Sequence, residues 1–173
     1  MQSRKGIRYS ARGAILLVVT TLVMLIAGDV AAKAKTSRKL RGKIFFAAKI
    51  LDRGPAAVQR LFKDSKPKAT LKREKGKDGH WVTVMAAFFR KKSYAGPMTL
   101  WFFDKTDKAA LRAKQAMHVM SVNSSGPSTV FVYDLDISPN DGFNKGRAYI
   151  VRVGQIIGKR SRIYASGEVN LKP

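Results

Sequence analysis

The sequence predicts an all-β fold, a single antiparallel β-sandwich of about seven to eight strands. Short runs of β-branched and aromatic residues recur between clusters of Gly, Pro, Asn and Asp. No long helical period and no internal repeat interrupts them. The densest run, from His80 to Asp104, holds both tryptophans and four of the nine phenylalanines. The sandwich is expected to be immunoglobulin-like or C2-like, and a partly open β-barrel is the alternative.

The dense run is read as a hairpin, its two apolar halves separated by a segment carrying Gly96 and Pro97. Its first half is apolar on both period-2 faces: Val82, Val84, Ala86 and Phe88 on one, Trp81, Met85 and Phe89 on the other. A strand of that kind belongs where both faces are covered. It supplies a core but no chemistry.

Residues 1–34 are read apart from the fold. Arg4, Lys5, Arg8 and Arg12 precede the apolar run Ala14–Ala27, and small residues around Ala32 and Ala34 follow. This is the pattern of a signal peptide cleaved near Ala32 or Ala34. The apolar run is shorter than the roughly 20 residues that cross a bilayer, so no membrane span is expected in the mature chain. The expected address is periplasmic or secreted. No twin arginine is present, and no cysteine follows the run for lipid attachment.

The whole chain carries 34 Lys and Arg against 11 Asp and Glu, a formal net charge of +23, and no cysteine. After cleavage about 140 residues would remain, enough for one cored domain, with a charge of about +19. A basic balance this strong keeps a protein soluble and draws polyanions. Disulfides are excluded, so packing alone must hold the domain.

Taken in order, residues 35–43 read as a flexible basic arm and 44–173 as the sandwich domain. Ile44–Leu51 is a strand with Ile44, Phe46, Ala48 and Ile50 on one face. Ala56–Phe62 is a short helix begun by Pro55, with Val58, Leu61 and Phe62 on one side, or else a covering loop. Ala69–Glu74 is a charge-protected edge strand, and residues 75–79 turn into the hairpin. After a turn at Asp104–Asp107, the chain is expected to run extended through Val122. The alternative is a short helix within Lys105–Met117, capped by Thr106 or Asp107. Thr129–Ile137 alternates, with Phe131, Tyr133, Leu135 and Ile137 opposite Asp134 and Asp136. Arg147–Val153 buries Tyr149, Val151 and Val153, and Gly154–Lys159 closes a hairpin with Ile156 and Ile157 at its tip. The last strand, Arg162–Leu171, sets Ile163, Ala165, Gly167, Val169 and Leu171 against Arg162, Tyr164, Ser166, Glu168 and Asn170.

No nucleophile motif accompanies His80 or His118, and the scattered carboxylates do not pair for glycoside chemistry. A non-enzymatic protein without cofactor is expected. Asp134 and Asp136 on one face, Asp104 at a strand end and Asp141 in a loop form a weak calcium-ligand set, as in C2-like modules. That set lacks the spacing of a calcium loop and is crowded by lysines. Anion binding has more support. Basic clusters recur at Lys35–Lys43, Lys66–Lys77, Arg90-Lys91-Lys92 and Lys159-Arg160-Ser161-Arg162, with Tyr94 beside one of them. Several flank turns and are expected to converge on one end of the sandwich.

The expected partner is an anionic envelope lipid or polysaccharide, met through Arg90, Lys91, Lys92, Lys159, Arg160 and Arg162. Another surface protein, paired through a sheet edge, is the alternative. Specific nucleic-acid binding is not expected of an exported chain. The signal peptide, Trp101–Asp104, Tyr149–Val153, Gly158-Lys159, Tyr164–Gly167 and Val169–Leu171 together give a chain that resembles small secreted bacterial β-sandwich proteins of unknown function. The resemblance implies an exported all-β domain and assigns no site.

Overall fold

A computed structural model describes residues 37–73, 79–124 and 126–173. The expected signal peptide and most of the turn at 75–79 lie outside the described residues. The rest is mostly strand: β1 (Lys43–Ala47), β2 (Lys68–Leu71), β3 (Trp81–Phe88), β4 (Met98–Asp104), β5 (His118–Val122), β6 (Val130–Ile137), β7 (Ala148–Ile157) and β8 (Arg160–Leu171). Two short helices interrupt it, α1 (Pro55–Leu61) and α2 (Lys108–Arg112).

The strands join into one curled sheet in the order β5-β4-β7-β8-β1-β3-β6, and β2 adds to β8. The sheet is mixed rather than purely antiparallel. Both β1 and β2 run parallel to the twelve-residue β8, at Ser166 and at Glu168–Leu171 respectively. Continuous hydrogen bonding makes this a half-barrel, nearer to the partly open barrel than to two separate sheets. β1 crosses β8 closely at Gly167, where a Cβ would lie 2.8 Å from both the Ile44 carbonyl oxygen and its Cβ.

The expected hairpin does not form as a pair. β3 is taken on its two edges by β1 and β6, while β4 pairs with β5 and β7. The nine residues between β3 and β4 are too long a link to impose two-residue hairpin register, so each strand finds its neighbours elsewhere. The two-sided burial of β3 does hold. Trp81, Met85, Ala87 and Phe89 face the larger core, with Leu100, Phe102, Tyr149, Val151, Tyr164 and Leu171. Val84, Ala86 and Phe88 face a smaller core with Leu40, Phe45, Ile50, Val58 and Phe62.

The smaller core is closed by α1. Pro55 opens the helix with its φ already set, and Val58 and Phe62, four residues apart, point at the sheet. Phe62, Phe45 and Phe88 form a ring trio with centroids 5.3 to 6.2 Å apart. Leu61, expected on that side, is 52% exposed because it sits one residue off the Val58–Phe62 line. β1 stops at Ala47, earlier than expected, and buries Phe45 on the face opposite Ile44. The basic arm gains structure before β1: residues 38–42 turn, with Leu40 buried and the Gly42 amide donating to the Phe88 carbonyl at 2.7 Å.

Two further expectations change. The segment after Asp104 is not extended throughout. Asp107 caps α2 by accepting from the Ala110 amide at 2.8 Å, and strand resumes only at His118. In β8 the alternation slips at a bulge: Val153 pairs with Ala165 but Gly154 with Ile163, leaving Tyr164 as the extra residue. Tyr164 and Ala165 are therefore both buried, and Ile163 turns out to solvent. Gly154 permits this, since a Cβ there would meet the Arg162 carbonyl oxygen at 2.1 Å.

Candidate anion-binding site

The registers align one end of the sheet. Lys43 pairs with Phe88 and Phe88 with Val130, so β1 and β6 begin where β3 ends. Met98 pairs with Val122 and Thr99 with Gly154, so β4 begins there, β5 ends there, and β7 runs past it into the β7–β8 tip. Four segments meet at this end: 37–43, 89–97, the described residues of 123–129 (123–124 and 126–129) and 154–163. Their Lys and Arg residues are Arg38, Lys39, Arg41 and Lys43 from the first, Arg90, Lys91 and Lys92 from the second, and Lys159, Arg160 and Arg162 from the last. None of the four contains an Asp or Glu.

Three of the four basic clusters read from the sequence thus converge, and the six predicted residues lie among them. Of the fourth, only part lies within the described residues. Its Lys68 sits on β2 and pairs with Glu168 at 3.0 Å, toward the far end of β8. The spatial grouping follows from strand order, which periodicity alone does not give.

A buried glutamine fixes the geometry. Gln155 is 3% exposed, and its Oε1 accepts from the Tyr94 amide at 3.0 Å and the Tyr164 hydroxyl at 2.9 Å. Its Nε2 donates to the carbonyls of Tyr94 at 3.1 Å and Gly96 at 3.3 Å. Both lone-pair directions and both protons of the amide are used. The loop carrying Arg90–Lys92 is thereby clamped to the β7–β8 hairpin. Ser93 adds a second tie, its amide donating to the Ser128 carbonyl while its hydroxyl accepts from the Ser128 amide, both at 2.9 Å.

Arg162 belongs to this clamp as much as to the cationic surface. Its guanidinium donates to the Tyr94 hydroxyl at 2.9 Å and lies over both the Tyr94 and Tyr164 rings. Nothing in the sequence joins Gln155 to Tyr94, and a glutamine between Gly154 and Ile156 carries no sign of burial.

The four aspartates of the calcium alternative are spread over separate places. Asp134 receives two bonds from the Arg53 guanidinium, at 2.6 and 2.7 Å. Asp136 lies 2.8 Å from His80 Nδ1. Asp104 is bound by Arg147 and by the Thr106 hydroxyl, and Asp141 lies in a turn beyond β6. Burial presses the Asp104 carboxyl upward, but the bonds from Thr106 and Arg147 outweigh it and hold its pKa below the ordinary value. No group of three or more His, Cys, Asp or Glu able to hold a metal occurs among the described residues.

The histidines also have local roles. His118 packs its ring against Phe102 and Phe143, at 5.9 and 5.5 Å. His80 makes the pair with Asp136.

The two ends of the sheet differ in charge pattern. The far end carries Asp104, Asp107, Asp141 and Glu168 among its lysines and arginines. Glu168 bonds Lys105 at 2.7 Å as well as Lys68, and those two bonds hold its pKa below the ordinary value. Among the described residues no helix is long and apolar enough to cross a membrane. Comparison with protein-family models, with curated proteins and with solved structures finds no match to this chain.

Proposed function

We propose that this protein is an exported, non-enzymatic binding module that grips an anionic component of the cell envelope through the cationic end of its sheet. In this reading the curled sheet serves as the rigid body of a sandwich-like domain, its two halves facing each other across the larger core. The loops at one end make the contact. The single observation that carries the reading is four converging segments that hold no Asp or Glu, three of them rich in Lys and Arg. Such a patch attracts phosphate, sulfate and carboxylate groups at a distance and releases counterions on contact.

The clamp at Gln155 favours contact by preformed geometry, since the loop cations are held before a ligand arrives. Retention on immobilised heparin and on vesicles rich in anionic lipid tests the proposal. Binding that weakens steeply between about 0.05 and 0.2 M salt is expected. No retention at low salt, or retention indifferent to salt, would overturn it.

A second reading rests on the open edges of the sheet. β6 offers eight residues with strand pairing on one side only, and β5 ends the other edge. Strand addition by another surface protein would use those edges and leave the cationic end free. Retention of a partner unaffected by charge removal at the cationic end would favour it.

A further inference from the structure

We infer that the anionic component is a lipid bilayer, and that the β7–β8 tip enters it while the surrounding cations hold the phosphates. The inference rests on the binding reading above and names its partner. Beyond the last buried position, Gln155, β7 continues through Ile156 and Ile157 into a turn at Gly158-Lys159 before β8 returns. Ile156 is 62% exposed, Ile157 45% and Ile163 43%.

These isoleucines do not complete the core. The bulge turns Ile163 outward, and Ile156 pairs with Ser161 on the same outer face, diagonal to Ile163. Ile157 pairs with Arg160 past the edge of the packed interior. Beside the tip stands Tyr94, 54% exposed and held by Arg162, an aromatic ring with one polar end suited to a membrane interface.

A purely electrostatic grip on a soluble polysaccharide needs no aliphatic tip. β-branched side chains exposed at the tip of a cationic hairpin fit a target that is negative outside and apolar beneath. The dimensions agree. Two residues of strand plus the turn project about 7 to 10 Å, and interfacial segments bury to a depth of about 5 to 10 Å. At that depth Lys159 and Arg160, with long flexible stems, reach back to the headgroups. Lys91 and Lys92 stand on the neighbouring loop that Gln155 clamps to the hairpin, and add cations at the same end of the sheet.

The experiment uses the full domain, vesicles of neutral lipid alone or with one-third anionic lipid, and heparin as a soluble polyanion. The variant is Ile156→Ser with Ile157→Ser, both exposed, with thermal unfolding as the check on folding. At fixed salt the variant should bind anionic vesicles at least about tenfold more weakly than the parent, with heparin affinity unchanged. In a second measurement, Ile157→Cys takes an environment-sensitive dye, since the chain has no other cysteine. Its emission should shift to the blue on anionic vesicles and not on heparin.

Equal vesicle binding by parent and variant, or a dye that reports water on the vesicle, would overturn the inference. So would a parent that binds heparin but not vesicles, an outcome that leaves the binding reading standing and makes the target a soluble polyanion. Failure of the parent to bind either probe would remove both.

Discussion

Replacing Gln155 by leucine removes four hydrogen bonds at one stroke and keeps the side chain nearly the same size. The leucine would sit among the Tyr94 amide and carbonyl, the Gly96 carbonyl and the Tyr164 hydroxyl, none of which it can satisfy. Each intramolecular bond is worth about 1 kcal/mol net, and a buried partner left unmet costs about 1 to 3 kcal/mol. The Tyr94–Gly96 loop can lift and rehydrate its groups, whereas the Tyr164 hydroxyl lies deep beside the bulge. The loss should therefore be about 2 to 4 kcal/mol, a fall in melting temperature of roughly 10 °C for a domain of this size.

Urea unfolding followed by circular dichroism measures the loss, and amide exchange at Tyr94 reports loop release. Tyr164→Phe, which deletes only one of the four bonds, should cost about 0.5 to 1.5 kcal/mol. A Gln155→Leu variant within about 0.5 kcal/mol of the parent, with Tyr94 still protected, would refute the clamp. Because the clamp sets Lys91 and Lys92 beside the hairpin, the same variant should also lose polyanion affinity.

Two further outcomes follow from the geometry. Gly154→Ala should destabilise the domain by about 1 to 3 kcal/mol or more, because its Cβ would strike the Arg162 backbone, and chemical denaturation reads this directly. Acid should weaken the fold through Glu168 and Asp104, both of which have lowered pKa values in the folded state. Their contribution is complete above the unfolded values of 4.5 and 3.8 and is lost as pH falls through the lower folded ones. Unfolding free energy measured from pH 6 downward should therefore decline below about pH 4.5, less so in Glu168→Gln; an unchanged decline would dismiss Glu168 as a contributor.

Local pattern carried much of the fold. The double-sided burial of β3, the burial of Tyr149, Val151 and Val153, and the outward Asp134 and Asp136 all follow from alternation along single strands. What alternation cannot supply is the choice of partner. β3 and β4 look like a pair because they adjoin in sequence, but a nine-residue link leaves them free to pair with β1, β6, β5 and β7.

Nor does alternation reveal a bulge. Tyr164 reads as a surface residue until the register slip opposite Gly154 turns it inward and sends Ile163 out. The cationic end was half legible. Its residues are visible as clusters, but their grouping, and the placing of Lys68 toward the other end, depends on which strand ends coincide. Gln155 gave no signal, because a buried amide is recognised only from the backbone groups around it.

The most direct test of the cationic end compares two variants of equal charge change on the same vesicles. One replaces Lys91, Lys92, Lys159 and Arg160 by glutamine. The other replaces Lys108, Arg112, Lys145 and Lys172, all exposed and at the far end of the sheet. The slope of log affinity against log salt should become shallower by about 2 to 4 in the first variant, approaching one unit per lost phosphate contact, and change little in the second. Equal slopes in the two variants would contradict the account, because binding would then follow net charge and not the end of the sheet where the cations gather.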